Sequence, residues 1–163
     1  MLELTEQVLD GFKKMIESGI PFVQRSGAKV DELRRGYVKM SIPYKPNINH
    51  IGTMYAGALF TLAELPGGAI FLSSFDGSKY FPIVKAMDLK FVAPAKSDIT
   101  VEVTLSDDQI AKNSGCCRRE RQSRLRMGMR TQGRERHHRR HVAQRVSAAK
   151  TLNTLDLASA FGE

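Results

Sequence analysis

Residues 51–75, IGTMYAGALFTLAELPGGAIFLSSF, hold one charge, Glu64, in an otherwise apolar run. A helix with no polar face must be buried on every side, so this run constrains the fold more than any other segment. Its length would also span a bilayer. However, Pro66, Gly67 and Gly68 interrupt it, and the flanking segments read as strands. We therefore expect a core helix and no membrane span.

The neighbouring segments supply what such a helix needs. Leu4, Val8, Phe12 and Ile16 recur at helical spacing, predicting an amphipathic helix over 3–18, with Thr5 able to cap it and Gly19 and Pro21 stopping it. From Tyr37 to Tyr44 the period drops to two: Val38, Met40, Ile42 and Tyr44 share one face. Pro43, Pro46 and Asn47 end that strand, and residues 28–34 pair with it through a turn at Arg35 and Gly36. Ile83, Lys85, Met87, Leu89 and Phe91 alternate with Val84, Ala86, Asp88, Lys90 and Val92, and Pro94 marks a turn. Ile99, Val101, Val103 and Leu105 then alternate with Thr100, Glu102 and Thr104. One long buried helix among antiparallel strands predicts an α+β fold with a sheet curled around the helix.

Charge divides the chain of 163 residues in two. The formal net charge is +8, yet residues 1–113 balance 13 Lys and Arg against 13 Asp and Glu. Residues 114–150 hold 11 Arg and 1 Lys against 2 Glu, and 11 of the 12 Phe and Tyr precede residue 92. The expected organisation is a neutral domain over 1–112 and an Arg-rich tail over 113–163. The two cysteines, Cys116 and Cys117, are adjacent, which argues against a disulfide scaffold or a structural zinc site. His137, His138 and His141 have no acidic or Cys partner at ligand spacing, so no metal is expected. The acidic N-terminus does not read as a signal peptide, and a cytoplasmic location is expected.

Glu64 is the chemical anomaly. An ionised carboxylate is expensive to bury, and burial raises its pKa toward the range of a general base at neutral pH. Facing a solvent gap or pairing with a lysine would explain it equally well. Gly52 and Gly57 leave backbone N–H groups open to close approach at the helix start, where a developing oxyanion is favoured. Asn49, just upstream, suits polarising a carbonyl or positioning water, and suits an ordinary turn. Together these residues fit acyl transfer.

The segment NHIGTMYAGALFTLAELPGGA resembles the signature helix of the hotdog-fold acyl-CoA thioesterases, in particular their phenylacetate-degradation (PaaI-like) branch. That family has an Asn, then G-x-x-H-G-G, then an acidic residue nine positions after the His. Here Tyr55 stands at the His position, Ala56 and Gly57 at the two glycines, and Glu64 nine after Tyr55. The resemblance covers about residues 1–110. It implies that Glu64 is general base or nucleophile, that the Gly57 N–H contributes to the oxyanion hole, and that Asn49 orients the thioester or the water. It places Tyr55 and Ala56 at the substrate and calls for no cofactor. It also implies a homodimer or homotetramer with the site at the subunit interface. The departure of Tyr55 and Ala56 from His-Gly bears on the substrate class.

A hotdog domain needs two more strands after residue 105. The tail shows little alternation and few β-branched residues, so those strands are expected to be missing or scrambled. The tail reads as an arm for RNA or other phosphates, as a solvated disordered run, or as the product of a shifted reading frame. Shifting the frame by one base turns Met127–Gly128 into Trp and Met129–Arg130 into Cys, and Leu125 to Arg134 can then read Y-V-W-E-C-E-L-K-D, a plausible strand. Gln144 to Thr151 can read N-V-Y-Q-L-R-K, similar to the closing strand of the family. We favour a shift beginning near residues 110–114. Without those strands the central helix is expected to expose apolar surface.

The expected function is hydrolysis of acyl-CoA thioesters, with water activated by Glu64 and the oxyanion held by helix-start amides. The alternative is a non-catalytic hotdog module that binds acyl-CoA or a partner, its basic tail contacting RNA or other polyanions. A hotdog dehydratase fits less well, because the one His of residues 1–112, His50, precedes the helix.

Overall fold

A computed structural model describes residues 4–115, 123–127, 129–133 and 153–158. Helix α1 (Glu6–Ser18) begins where Thr5 Oγ1 accepts the Val8 N–H at 3.4 Å, and Gly19 closes it on the Met15 carbonyl. Ile16 is buried, with Leu9 and Phe12 packed beside it. The predicted stop at Pro21 is instead the start of a second helix, α2 (Pro21–Ser26). Proline is well suited to a first helical turn, where its missing N–H has no partner to lose. Gly27, at φ +72°, ends α2 in the left-handed conformation that glycine accepts without strain.

Strands β1 (Lys29–Arg34) and β2 (Tyr37–Ile42) form the expected hairpin. Its Gly36 has φ +70°, donates its N–H to Ser74 Oγ at 2.9 Å, and accepts the Leu105 N–H at 2.8 Å. β2 then pairs antiparallel with β4 (Ile99–Thr104), from Tyr37 opposite Thr104 to Ile42 opposite Ile99. Residues opposite one another share a face, so Val38, Met40 and Ile42 meet Ile99, Val101 and Val103 in the core. On the outer face Lys39 and Glu102 pair at 3.8 Å.

Helix α3 (Ala56–Ser74) lies against β1, β2 and β4 and carries Ala58, Leu62, Leu65, Ala69 and Ile70 into the core. Fully burying a side chain such as Leu62 or Ile70 contributes about 1.5–3 kcal/mol. The helix is long and apolar enough to cross a bilayer by length and composition, but it is the buried core helix of this fold. It runs through Pro66, which is itself buried. Burial on every side is corrected by the structure: Gly57, Thr61, Glu64 and Gly68 form a partly open stripe, with Phe60 beside it 45% exposed.

Strand β3 (Phe81–Met87) is shorter than the alternation over 83–92 predicts. Its pairing ends where Met87 meets Asn153, and residues 88–92 have no strand partner among the described residues. Helix α4 (Asp107–Gly115) follows β4 directly. Ser106 and Gln109 cap it reciprocally, Gln109 N–H to Ser106 Oγ at 3.2 Å and Ser106 N–H to Gln109 Oε1 at 2.8 Å, and Ile110 is buried beneath it.

The tail, where the last two strands were expected to be missing or scrambled, contributes three short strands. β5 (Ser123–Met127), β6 (Met129–Gly133) and β7 (Asn153–Ala158) give sheet orders β1-β2-β4-β6 and β3-β7-β5, with every pairing antiparallel. β5 and β6 are one residue apart in the chain. The overlooked signal is a period of two in which Leu125, Met127, Met129 and Thr131 alternate with Arg124, Arg126, Arg130 and Gln132. Met129 and Thr131 register opposite Val103 and Val101, on the core face of β4, and Arg130 registers opposite Glu102. An open edge of β4 presents unpaired N–H and C=O groups, and backbone pairing satisfies them whatever side chains the partner carries. Cys116, Cys117, His137, His138 and His141 lie outside the described residues.

Candidate active site

The chain enters α3 through a loop, residues 47–55, held by side-chain amides. Asn47 Nδ2 donates to the carbonyls of Ser26 and Pro43, each at 2.8 Å, and its carbonyl accepts the Tyr55 N–H at 2.7 Å. Asn49 Oδ1 accepts the N–H groups of Ile51 at 3.1 Å and Thr53 at 3.0 Å, while its Nδ2 donates to Thr53 Oγ1 at 2.8 Å. The Asn49 side chain thus stands in for backbone in a tight turn, in which Gly52 takes φ +76°. The Met54 N–H bonds to the Ala95 carbonyl and the Tyr44 hydroxyl to the Gly52 carbonyl, fixing the loop from outside.

This loop sets how α3 begins. Tyr55 is the N-cap residue, and its carbonyl accepts the N–H groups of Ala58 and Leu59. The N–H groups of Ala56 and Gly57 find no acceptor among the described residues, as expected for the first turn of a helix. They form a ready site for an oxygen that becomes anionic. The Tyr55 ring lies across the Cα of Gly57, filling the space a Cβ would occupy.

Glu64 stands two turns further along. It is half-buried, and among the described residues it has neither a hydrogen-bond nor an ion-pair partner. Burial pushes its pKa above the ordinary carboxylate value. The lysine pairing that would have made it an ordinary surface ion is not present among the described residues. At 1.5 Å of rise per residue, Glu64 lies about 10 Å along the axis from Gly57, on the same side of the helix.

Two clefts flank the loop. One, of about 350 Å³, is lined by Phe22, Arg25, Asn47, His50 and Tyr55 among others. The second, of about 340 Å³, is apolar and includes Ile51, Met54, Ala56, Leu59, Phe91 and Val92. Asn49 lines both, and Glu64 lines neither. Asn49, Tyr55 and Ala56 therefore line the two clefts at the start of α3, Gly57 follows in the first turn of the helix, and Glu64 stands apart on the open stripe. Sequence reasoning took Asn47 only as a strand terminator and did not single out Thr53, though both hold the loop; a second Asn two residues before Asn49 was the available signal. No group of three His, Cys, Asp or Glu among the described residues could hold a metal ion.

Comparison with known proteins gives the arrangement its family. Residues 10–144 match a family model described as a domain of unknown function (DUF4442), a span that runs beyond residue 112 into the Arg-rich segment. The chain is 44% identical to a Pseudomonas aeruginosa protein of unknown function described as a probable thioesterase. That match covers 76% of this chain and 83% of the other, with a TM-score of 0.72. A mutant thioesterase from Pseudomonas aeruginosa has the same fold at 16% identity, covering 96% of this chain and 95% of its own, with a TM-score of 0.58. Zebra fish thioesterase superfamily member 2 shares the fold at 18% identity, covering 63% of this chain and 75% of its own, with a TM-score of 0.51. No curated protein sequence matches the chain. With its antiparallel sheet around one long core helix, the chain belongs to the thioesterase-like DUF4442 family and has the hotdog fold.

Proposed function

We propose that this protein hydrolyses acyl thioesters, with acyl-CoA as the substrate. The observation that carries the reading is a half-buried carboxylate, without a partner among the described residues, on the same helix whose first two amides no described residue claims. The Pseudomonas relative, described as a probable thioesterase, supports it. The thioester carbonyl accepts hydrogen bonds from the Ala56 and Gly57 amides. Glu64 removes a proton from water as the water oxygen bonds to the carbonyl carbon. The amides stabilise the tetrahedral oxyanion. Collapse breaks the C–S bond, and the departing thiolate takes the proton from Glu64. Asn49 fixes the loop and, with the second N–H of its amide, orients the thioester or the water. Tyr55 and Ala56 border the substrate, and no cofactor is needed.

The active unit we propose is a homodimer or a pair of dimers in the cytoplasm. Phe60 is exposed beside the open stripe of α3, and β3 is an outer strand with Phe81, Ile83 and Val84 exposed. A second copy covering these surfaces would exclude water from the site. Two α3 stripes paired antiparallel about Phe60 and Thr61 set Glu64 of one subunit opposite Gly57 of the partner subunit, because the two residues lie equally far from that midpoint.

The test is turnover of a panel of acyl-CoAs by the parent chain and by Glu64→Gln. Hydrolysis that falls at least about a hundredfold fits a general base. Unchanged turnover removes Glu64 from the mechanism. Binding of acyl-CoA with no hydrolysis by either protein makes the chain a binding module.

A further inference from the structure

We propose that the cleft between α2 and the 47–55 loop binds the phosphate of the thioester's carrier arm, through Arg25 with His50 beside it. The inference rests on the acyl-thioester reading and names the part of the substrate that reading leaves without a site.

Arg25 sits in the last turn of α2, and His50 sits on the loop that leads into α3. They are 25 residues apart in the chain. The Asn47 side chain, donating to the Ser26 carbonyl at 2.8 Å, ties α2 to the loop and holds both bases on one cleft. Among the described residues, no acidic residue lines that cleft. Arg25 also differs from the other arginines of residues 4–115. Arg34 lies over the Tyr37 ring at 4.2 Å, and Arg35 approaches Asp107 at 3.7 Å. No carboxylate among the described residues pairs with Arg25.

A guanidinium with no acidic partner among the described residues matches a phosphate in charge and geometry, since its planar fork can hold two phosphate oxygens at once. An imidazole N–H from His50 adds a third donor. The position of the cleft selects which phosphate. A thioester carbonyl held by the Ala56 and Gly57 amides has two arms. The acyl arm is apolar and matches the cleft of Ile51, Met54, Leu59, Phe91 and Val92, which has no charged lining residue among the described residues. The carrier arm then leaves on the Tyr55 side, where Phe22, Ile48 and Tyr55 offer apolar surface before Arg25 is reached. Both coenzyme A and the prosthetic arm of an acyl carrier protein bear a phosphate along that arm.

The experiment compares the full-length chain with Arg25→Gln on three substrates of one acyl group: acyl-CoA, acyl-4′-phosphopantetheine and acyl-pantetheine. Arg25→Gln is expected to raise KM for acyl-CoA roughly tenfold while kcat stays within about twofold, the loss of one charge-assisted contact used for binding alone. KM for acyl-pantetheine, which has no phosphate, should be unchanged. A matching rise with acyl-4′-phosphopantetheine assigns the contact to the phosphate that coenzyme A shares with carrier proteins. A rise with acyl-CoA alone assigns it to the nucleotide's phosphates. An unchanged KM for acyl-CoA, or an equal rise for acyl-pantetheine, overturns the proposal.

Titration calorimetry with free coenzyme A separates this inference from the catalytic one. Binding by the parent chain that weakens in Arg25→Gln, with no hydrolysis detected, keeps the phosphate site and discards the hydrolase reading. No binding of coenzyme A by the parent chain overturns the site itself. Arg25→Lys, which keeps the charge without the fork, should fall between the two.

Discussion

The Tyr55 ring occupies the space that a side chain at Gly57 would need: a Cβ there would lie 2.9 Å from the ring Cζ, closer than real carbons approach. Tyr55 is 58% exposed, so the ring can swing away into solvent. Gly57→Ala is therefore expected to cost little stability, under about 1 kcal/mol. It should lower kcat by about tenfold or more, because the displaced ring shifts beside the first turn of α3 that carries the Ala56 and Gly57 amides. Tyr55→Ala removes the obstacle, so the double variant Tyr55→Ala with Gly57→Ala should recover activity relative to Gly57→Ala alone. A double-mutant cycle on kcat, with melting curves alongside, checks this.

The raised pKa of Glu64 has consequences for both rate and stability. A general base works ionised, so the acid limb of the kcat profile should lie above the ordinary glutamate value. The folded chain holds this proton to a higher pH than the unfolded chain does. Between the two pKa values the folded state binds more protons, and stability falls as pH rises. Glu64→Gln stays neutral and escapes that loss. It should melt above the parent chain at neutral pH, with the difference vanishing below the ordinary carboxylate range. Thermal melts of both proteins across pH test the sign.

If Glu64 acts on a thioester held by the partner subunit, two dead variants can rescue each other. In a mixed dimer of Glu64→Gln and Gly57→Val, one site carries both defects and the other carries neither. Co-expressed and mixed chains should then regain a quarter to a half of parental activity, on the order expected for random pairing into symmetric dimers. A site built within one chain predicts no recovery. Activity of the purified mixed dimer decides between them.

Gly36 is held by the Ser74 hydroxyl on one side and the Leu105 backbone on the other. An added Cβ would lie 2.6 Å from the Leu105 carbonyl oxygen, and φ is +70°. Neither the oxygen nor the left-handed backbone can yield cheaply. Gly36→Ala should destabilise the chain by about 1–3 kcal/mol, measured by denaturant unfolding, and leave KM unchanged where the protein is folded.

The reading frame over residues 110–145 is testable at the level of DNA. The reconstructed strand Y-V-W-E-C-E-L-K-D falls on the segment that contributes β5 and β6. There the chain as written carries Arg124, Arg126 and Arg130. We expect resequencing to find a one-base shift near residues 110–114. An uninterrupted frame with these codons would show that the arginines are native, and Arg130, in register with Glu102, then becomes a cross-strand charge pair to test by exchange.

Local periodicity was enough to read much of this protein. The alternation in β2 and β4 named the buried face, because side chains in a strand point to opposite sides whatever surrounds them. Thr5 and Gly19 bounded α1, Gly36 turned the hairpin, and the spacing from Tyr55 to Glu64 pointed to the family. The capping pair Ser106 and Gln109 and the alternation of Leu125 to Thr131 were also legible and were overlooked.

What needed the tertiary structure was everything set by distant partners. The composition of α3 says that it is buried, but not which stripe is left open; that depends on where the sheet stops, and so leaves Glu64 half-exposed, with no counter-ion among the described residues. The sequence offers Asn49 as either a polar group for substrate or a turn residue, and only the folded loop shows its carboxamide bound to Ile51 and Thr53. Arg25 and His50 line one cleft because Asn47 binds the end of α2. Strand and helix periods are local properties of the chain, whereas open edges, unpaired charges and clefts arise from contacts between segments far apart in sequence, which a pattern read one window at a time does not contain.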